Sequence, residues 1–150
     1  MTIALTVIAI SVLAWIAIMI AFSLTARKPE NLGLKDGRLR PCPGTPNCVC
    51  TFDEGTAAID PLTFSDSADT AWERLKKIVR EHPRTVIVTD EGDYLHAECT
   101  SLIFRFVDDL EFALDREHRR IHVRSASRAG RSDFGVNRAR VEAIREAFGS

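Results

Sequence analysis

A chain of 150 residues, 45% hydrophobic and with a formal net charge of −1, has room for one folded domain. The charge is partitioned: residues 1–52 carry +3, residues 53–115 carry −9 and residues 116–150 carry +5. An acidic middle and a basic end can neutralise each other through short ion pairs, which argues against a nucleic-acid partner despite five arginines between Arg124 and Arg140.

The first 26 residues are unavailable to that domain. No charged residue occurs from Thr2 to Thr25, and IALTVIAISVLAWIAIMIAFSL is long enough to cross a hydrocarbon core of about 30 Å as a helix. The expectation is a single-pass membrane anchor over residues 1–26, with residues 3–24 in the bilayer. A cleaved signal peptide is the competing reading, but it wants a basic start and a small-residue cleavage site, and Leu24-Thr25-Ala26 matches poorly. Arg27 and Lys28 follow the span, so the positive-inside rule alone would put the rest of the chain in the cytoplasm.

Residues 27–63 are rich in proline and glycine and read as an extended tether with ordered loops, rather than helix or sheet. Residues 64–150 read as the folded unit. Ser67 or Asp69 can cap a helix that places Trp72, Leu75, Ile78 and Val79 on one face and stops before Pro83. β-rich runs follow: TVIVT, YLHAECTS, LIFRFV, DLEFAL and IHVRSAS, about four antiparallel strands. Asn137 can cap a last helix with Val141, Ile144 and Phe148 inward. The fold class is therefore α+β: a transmembrane helix, then a small two-layer domain of helix, antiparallel sheet and helix. Alternation puts Leu95, Ala97, Cys99, Phe104, Phe106, Leu110, Phe112, Leu114, Ile121 and Val123 under the helices. It puts His96, Glu98, Arg105, Glu111, His122 and Arg124 on the opposite face.

Three groups of residues could carry chemistry. PCPGTPNCVC holds Cys42, Cys48 and Cys50; Cys42 and Cys48 could close a disulfide loop in an oxidising compartment, all three could ligate a metal with Cys99 or a histidine, or the thiols could be inert. His96, Glu98, Asp108, Asp109 and His122 could serve a hydrolase or a metal-dependent enzyme if their strands adjoin, although Asp108, Asp109 and Glu111 can equally pair with nearby arginines. Arg124, Arg128, Gly130, Asn137 and Arg138 surround the start of the last helix, where a small anion could bind. Walker A, H-E-x-x-H, EF-hand and G-x-G-x-x-G patterns are absent, and no cofactor is expected.

NLGLKDGRLRPCPGTPNCVCT, YLHAECTS, FVDDLEF and IHVRSASRAGRSDFGVNRARVEAIR together resemble the bacterial and plastid family called domain of unknown function 1499, over nearly everything from Asn31 to Arg145. The resemblance implies a small α+β domain behind an N-terminal hydrophobic segment, and a family without an established activity. It singles out Cys42, Pro46, Asn47, Cys48, His96, Glu98, Asp108, Asp109, Glu111, Arg124, Ser125, Ser127, Arg128, Gly130, Asp133, Gly135, Asn137 and Arg138. Cys50 stands where the family usually has serine. Export-like N-termini in the family, with the Cys42/Cys48 pair, favour an extracytoplasmic domain over the cytoplasmic one that the charge rule suggests. The expected role is a non-enzymatic envelope domain that binds a protein partner or a small anion.

Overall fold

The computed structural model describes residues 2–149, so Met1 and Ser150, the ends of the expected anchor and domain, lie outside the described residues. Helix α1, Thr2–Thr25, is apolar all round, and its stretch Ile3–Thr25 is long and apolar enough to cross a membrane. The chain continues through a two-strand ribbon of β1, Leu34–Lys35, and β2, Arg38–Leu39. Next come β3, Cys48–Cys50, a 3-10 turn at Gly55–Ala57, and β4, Leu62–Thr63. Helix α2 spans Ala68–Glu81, followed by β5, Thr85–Glu91, β6, Tyr94–Thr100, β7, Val107–Asp115, and β8, Arg120–Ser127. Helix α3, Val136–Gly149, closes the domain.

All strand pairings of the main sheet are antiparallel, in the order β3-β8-β7-β6-β5, with β4 also on β8. The segment read as tether and loops thus supplies the two-strand ribbon and two strands, β3 and β4, of the main sheet. Its strands are only two or three residues long, too short for periodicity to register, and the hydrogen bonds of β3 and β4 come from β8.

Both helices lie on one face of the sheet. Ser67 caps α2, its hydroxyl accepting from Thr70 N at 3.1 Å, and Trp72, Leu75 and Val79 are buried. They join Leu95, Ala97, Cys99, Leu110, Phe112, Leu114, Ile121, Val123, Val141, Ile144 and Phe148 in one core. Each large side chain buried there contributes about 1.5–3 kcal/mol of transfer free energy, so this face carries the hydrophobic stabilisation.

Two expectations require correction. LIFRFV is not a strand through the core: residues 101–106 form the turn between β6 and β7. Arg105 sits at φ +59°, outside extended geometry, and Ser101 N donates to Phe106 O at 2.8 Å, closing the turn on itself. Phe104 and Phe106 leave the core and meet Trp15 and Phe22 of α1, with ring centroids 5.4 and 6.2 Å apart. Asn137 does not cap α3 either. Asp133 does, accepting from Gly135 N at 3.0 Å and Asn137 N at 2.8 Å, while the Asn137 side chain turns inward and is fully buried.

Candidate functional site

The second face of the sheet presents polar side chains at alternate positions of β6, β7 and β8, and the chain from Pro29 to Pro43 lies over it. The strand register sets Glu98 opposite Asp109, and His96 opposite Glu111, which itself faces Arg124. These groups are not solvated: His96, Asp109, Glu111 and Arg124 are all buried. An unpaired charge in such a place is prohibitive, so each must meet a partner.

They form two linked clusters. In the first, Arg128 Nε lies 3.0 Å from Asp109 Oδ2 and Nη2 lies 2.7 Å from Oδ1, a bidentate pair. The same Nη2 reaches Glu98 Oε1 at 2.5 Å, and His96 Nε2 donates to Asp109 Oδ1 at 2.8 Å. Burial by itself would raise the Asp109 carboxyl, but the hydrogen bonds from His96 and Arg128 outweigh it and hold its pKa below the usual carboxylate value. Arg128 is likewise desolvated, yet its two carboxylate partners raise its pKa. In the second cluster Arg124 Nη1 lies 2.9 Å from Glu111 Oε2, while Tyr94 Oη and Gly33 N each donate to Glu111 Oε1 at 2.9 Å. Burial first, then the Glu111 charge, pushes the Tyr94 phenol well up, so it stays a donor.

The five residues considered for hydrolytic or metal chemistry are not one site. β7 separates β6 from β8, so His122 stays apart from His96; it stacks on Phe52 at 4.3 Å and lies 3.7 Å from Asp115. Asp108 faces the helices, where Arg140 Nη2 holds it at 2.6 Å. His96, Glu98 and Asp109 do converge, with potential ligand atoms within 4.8 Å of one another. The position a cation would take among them is served by the Arg128 guanidinium, bonded to both carboxylates. A three-thiolate site does not form: Cys42 and Cys48 are joined in a disulfide, and Cys50 is a buried free thiol in a separate apolar cluster, its pKa raised by burial.

Of the residues expected around an anion, Arg138 lines one cleft, Arg124 and Arg128 line another, and Gly130 and Asn137 line neither. The first, of about 510 Å³, lies between the disulfide loop, the 3-10 turn and the start of α3, and Arg138 lines it beside Glu54 and Asp133. Arg138 Nη2 donates to Thr56 O at 2.8 Å and Ala58 O at 2.7 Å. The N-terminus of α3 is already occupied by the Asp133 carboxylate, so it offers little to a second anion. Gly130 and Asn137 belong to a polar lock behind it. Asn137 Nδ2 faces Asn47 O, Ser127 Oγ and Asp133 Oδ2, its Oδ1 accepts from Ser125 and Arg140, and Gly130 O accepts from Asn47 Nδ2. Gly130, at φ +83°, permits the turn that brings its carbonyl there.

The second cleft, of about 500 Å³, opens between the overlying chain and the ionic face, and Arg40, Arg124 and Arg128 line it with Cys42 and Asp109. Arg124 is 3% exposed, and its Nε is buried without a hydrogen-bond partner among the described residues. Arg40 Nε is buried and unpartnered in the same way. Burial first, and the neighbouring Arg124 charge next, lower the Arg40 pKa. Arg40 and Arg124 thus both line this cleft, and each keeps one buried Nε–H donor unused. Arg40 was not visible as a site residue in the sequence because it sits in an irregular segment. The signal available was Cys42, two residues on, whose bond to Cys48 ties Arg40 to the strand beside Arg124.

Neither a curated protein nor a solved structure matches the chain. A family described as protein of unknown function (DUF1499) matches residues 38–148, which include the disulfide, the charged residues of both ionic clusters and the lock around Asn137, and the chain belongs to that family.

Proposed function

We propose that the protein is a membrane-anchored envelope domain, non-enzymatic, that captures a small anionic group, a carboxylate or a phosphate, in the cleft lined by Arg40, Arg124 and Arg128. The observation that carries this reading is the pair of buried, unpartnered Nε donors on Arg40 and Arg124. Unsatisfied buried donors of this kind are uncommon and costly, and a guanidinium that turned its Nε toward the cleft would meet an oxyanion there. The hydrophobic length of α1 supports the anchor, and the Cys42–Cys48 disulfide supports an oxidising, extracytoplasmic side. Arg128 contributes mainly by neutralising Asp109 at the floor of the cleft, so that an incoming anion does not face a bare carboxylate.

Calorimetric titration of the full chain in detergent with inorganic phosphate, and separately with glutarate, tests the reading. One of the two anions binds, and Arg40→Gln weakens it about tenfold or more, the loss of a charge-assisted hydrogen bond, while the melting temperature of the free protein barely moves. Binding of neither anion, or binding that survives Arg40→Gln but is lost with Arg138→Ala, overturns the assignment to this cleft. A membrane-impermeant thiol reagent applied to intact cells checks the side: labelling of Cys42 and Cys48 only after a reductant supports an extracytoplasmic disulfide, and no labelling under either condition contradicts it.

A further inference from the structure

The turn SLIFRF at 101–106 leaves Leu102 71% and Ile103 76% exposed, and neither belongs to the apolar clusters of the domain. Two large aliphatic side chains side by side at a turn have no use within this fold. The turn is closed at its base: Ser101 N donates to Phe106 O at 2.8 Å, and Phe106 N to Ser101 Oγ at 2.9 Å.

The turn is also continuous with the apolar helix. Phe104 meets Trp15 edge-on and Phe106 meets Phe22. The half-buried positions Ile16, Met19 and Ser23 of α1 recur at three- and four-residue steps and so form a single stripe. At a rise of 1.5 Å per residue, Trp15 lies about 15 Å and Phe22 about 4.5 Å from Thr25 along the helix. Whatever solvent surrounds α1 from Trp15 to Phe22 therefore surrounds the turn. Basic residues accompany it: Arg27, Lys28, Arg84 and Arg105 are all exposed, and Arg84 is fastened to the base of the turn by donating from Nε to Thr100 O at 3.1 Å.

We infer that residues 101–106 are a second membrane contact: Leu102, Ile103 and Phe104 enter the lipid beside α1, and Arg84 and Arg105 meet anionic headgroups. The inference rests on the anchor reading of α1 and adds to it a fixed attitude of the domain. A helix alone leaves a domain free to swivel on its tether, whereas a second apolar contact with a basic margin holds it against the bilayer.

The test uses the full chain in phosphatidylcholine–phosphatidylglycerol vesicles, with an environment-sensitive fluorophore at Ile103→Cys, at Ile10→Cys in α1, or at the 97% exposed Phe134→Cys. The unsubstituted chain, whose free thiols Cys50 and Cys99 are buried, sets the labelling background. The Ile103 and Ile10 reporters are expected to emit to the blue of Phe134 and to be quenched at least twofold more by doxyl-labelled lipid. Arg84→Gln with Arg105→Gln should lessen Ile103 quenching when phosphatidylglycerol is present and have little effect without it. An Ile103 reporter quenched by aqueous iodide as strongly as Phe134, with Ile10 still in lipid, overturns the second contact and leaves the anchor standing. An Ile10 reporter in water overturns both.

Discussion

The two faces of the sheet are buried to similar degrees by opposite chemistry. The face under α2 and α3 is closed by Leu75, Leu110, Phe112, Ile121 and Ile144, groups that need only density and fit. The face under the Pro29–Pro43 segment is closed by His96, Glu98, Asp109, Glu111, Arg124 and Arg128, which need specific partners at specific atoms. The difference is one of failure modes. An apolar face loses stability in proportion to what is removed, whereas an ionic face loses most when a single partner is removed and less when both are.

The largest effect should expose that asymmetry. Arg124→Met leaves Glu111, which is fully buried, without its counter-charge, and urea denaturation of the detergent-solubilised chain is expected to show a loss of about 3–5 kcal/mol. Adding Glu111→Leu should recover much of it. Leu75→Ala on the other face should cost about 2–5 kcal/mol, with no such rescue by a second truncation. Equal recovery on both faces would erase the distinction.

A smaller effect separates the coverings. The helices covering the apolar face are continuous elements, whereas the ionic face depends on a segment fastened by Cys42–Cys48, a bond that spans six positions. Replacing both cysteines by serine should cost about 2 kcal/mol through the loop entropy of the unfolded chain. Hydrogen exchange should quicken at Gly33 and Cys42, whose amides bond Glu111 and Asp53, while α2 stays protected. Uniform acceleration through both layers would mean that the disulfide serves the whole domain rather than this face.

The smallest effect is a slope rather than a step. Asp109 has a lowered pKa in the folded state, so its contribution is complete above the unfolded carboxyl value of about 3.9 and disappears as pH falls through the lower folded value. Stability measured from pH 6 down to pH 3 should decline chiefly below about pH 4, and Asp109→Asn should flatten that decline. An unchanged decline in the variant would assign acid sensitivity to carboxylates outside the ionic face.

Legibility in the sequence followed the range of the interactions. The α2 cap at Ser67, its end before Pro83 and its inward Trp72, Leu75 and Val79 are set by neighbours within a few residues, and all are readable from spacing. The alternation of β6 to β8 was readable too, because a period of two survives any partner. Phe104 and Phe106 were misassigned because their alternation continues a strand pattern, while the positive φ at Arg105 and the arrival of α1 leave no mark on spacing. The site was legible in composition, as acids in the middle and arginines at the end, but not in pairing. Arg124 and Arg128, read both as ligand-facing and as partners for the acids of FVDDLEF, are held by Glu111 and Asp109; Arg140, unremarked, holds Asp108; and Arg40 emerged only from the cleft.

By itself the sequence determined the apolar N-terminal helix, the α+β class, the two-faced strands and the neutralising split of charge, because each is a matter of local propensity, periodicity or count. The tertiary structure decided which arginine meets which carboxylate, which side chains leave the core for α1, and which guanidinium donors are left over. Those outcomes depend on strand order and on a disulfide-fastened covering, and they bring together residues far apart in the chain, such as Gly33 and Glu111 or Arg40 and Arg124. Short-range pattern carries no information about contacts closed over such distances.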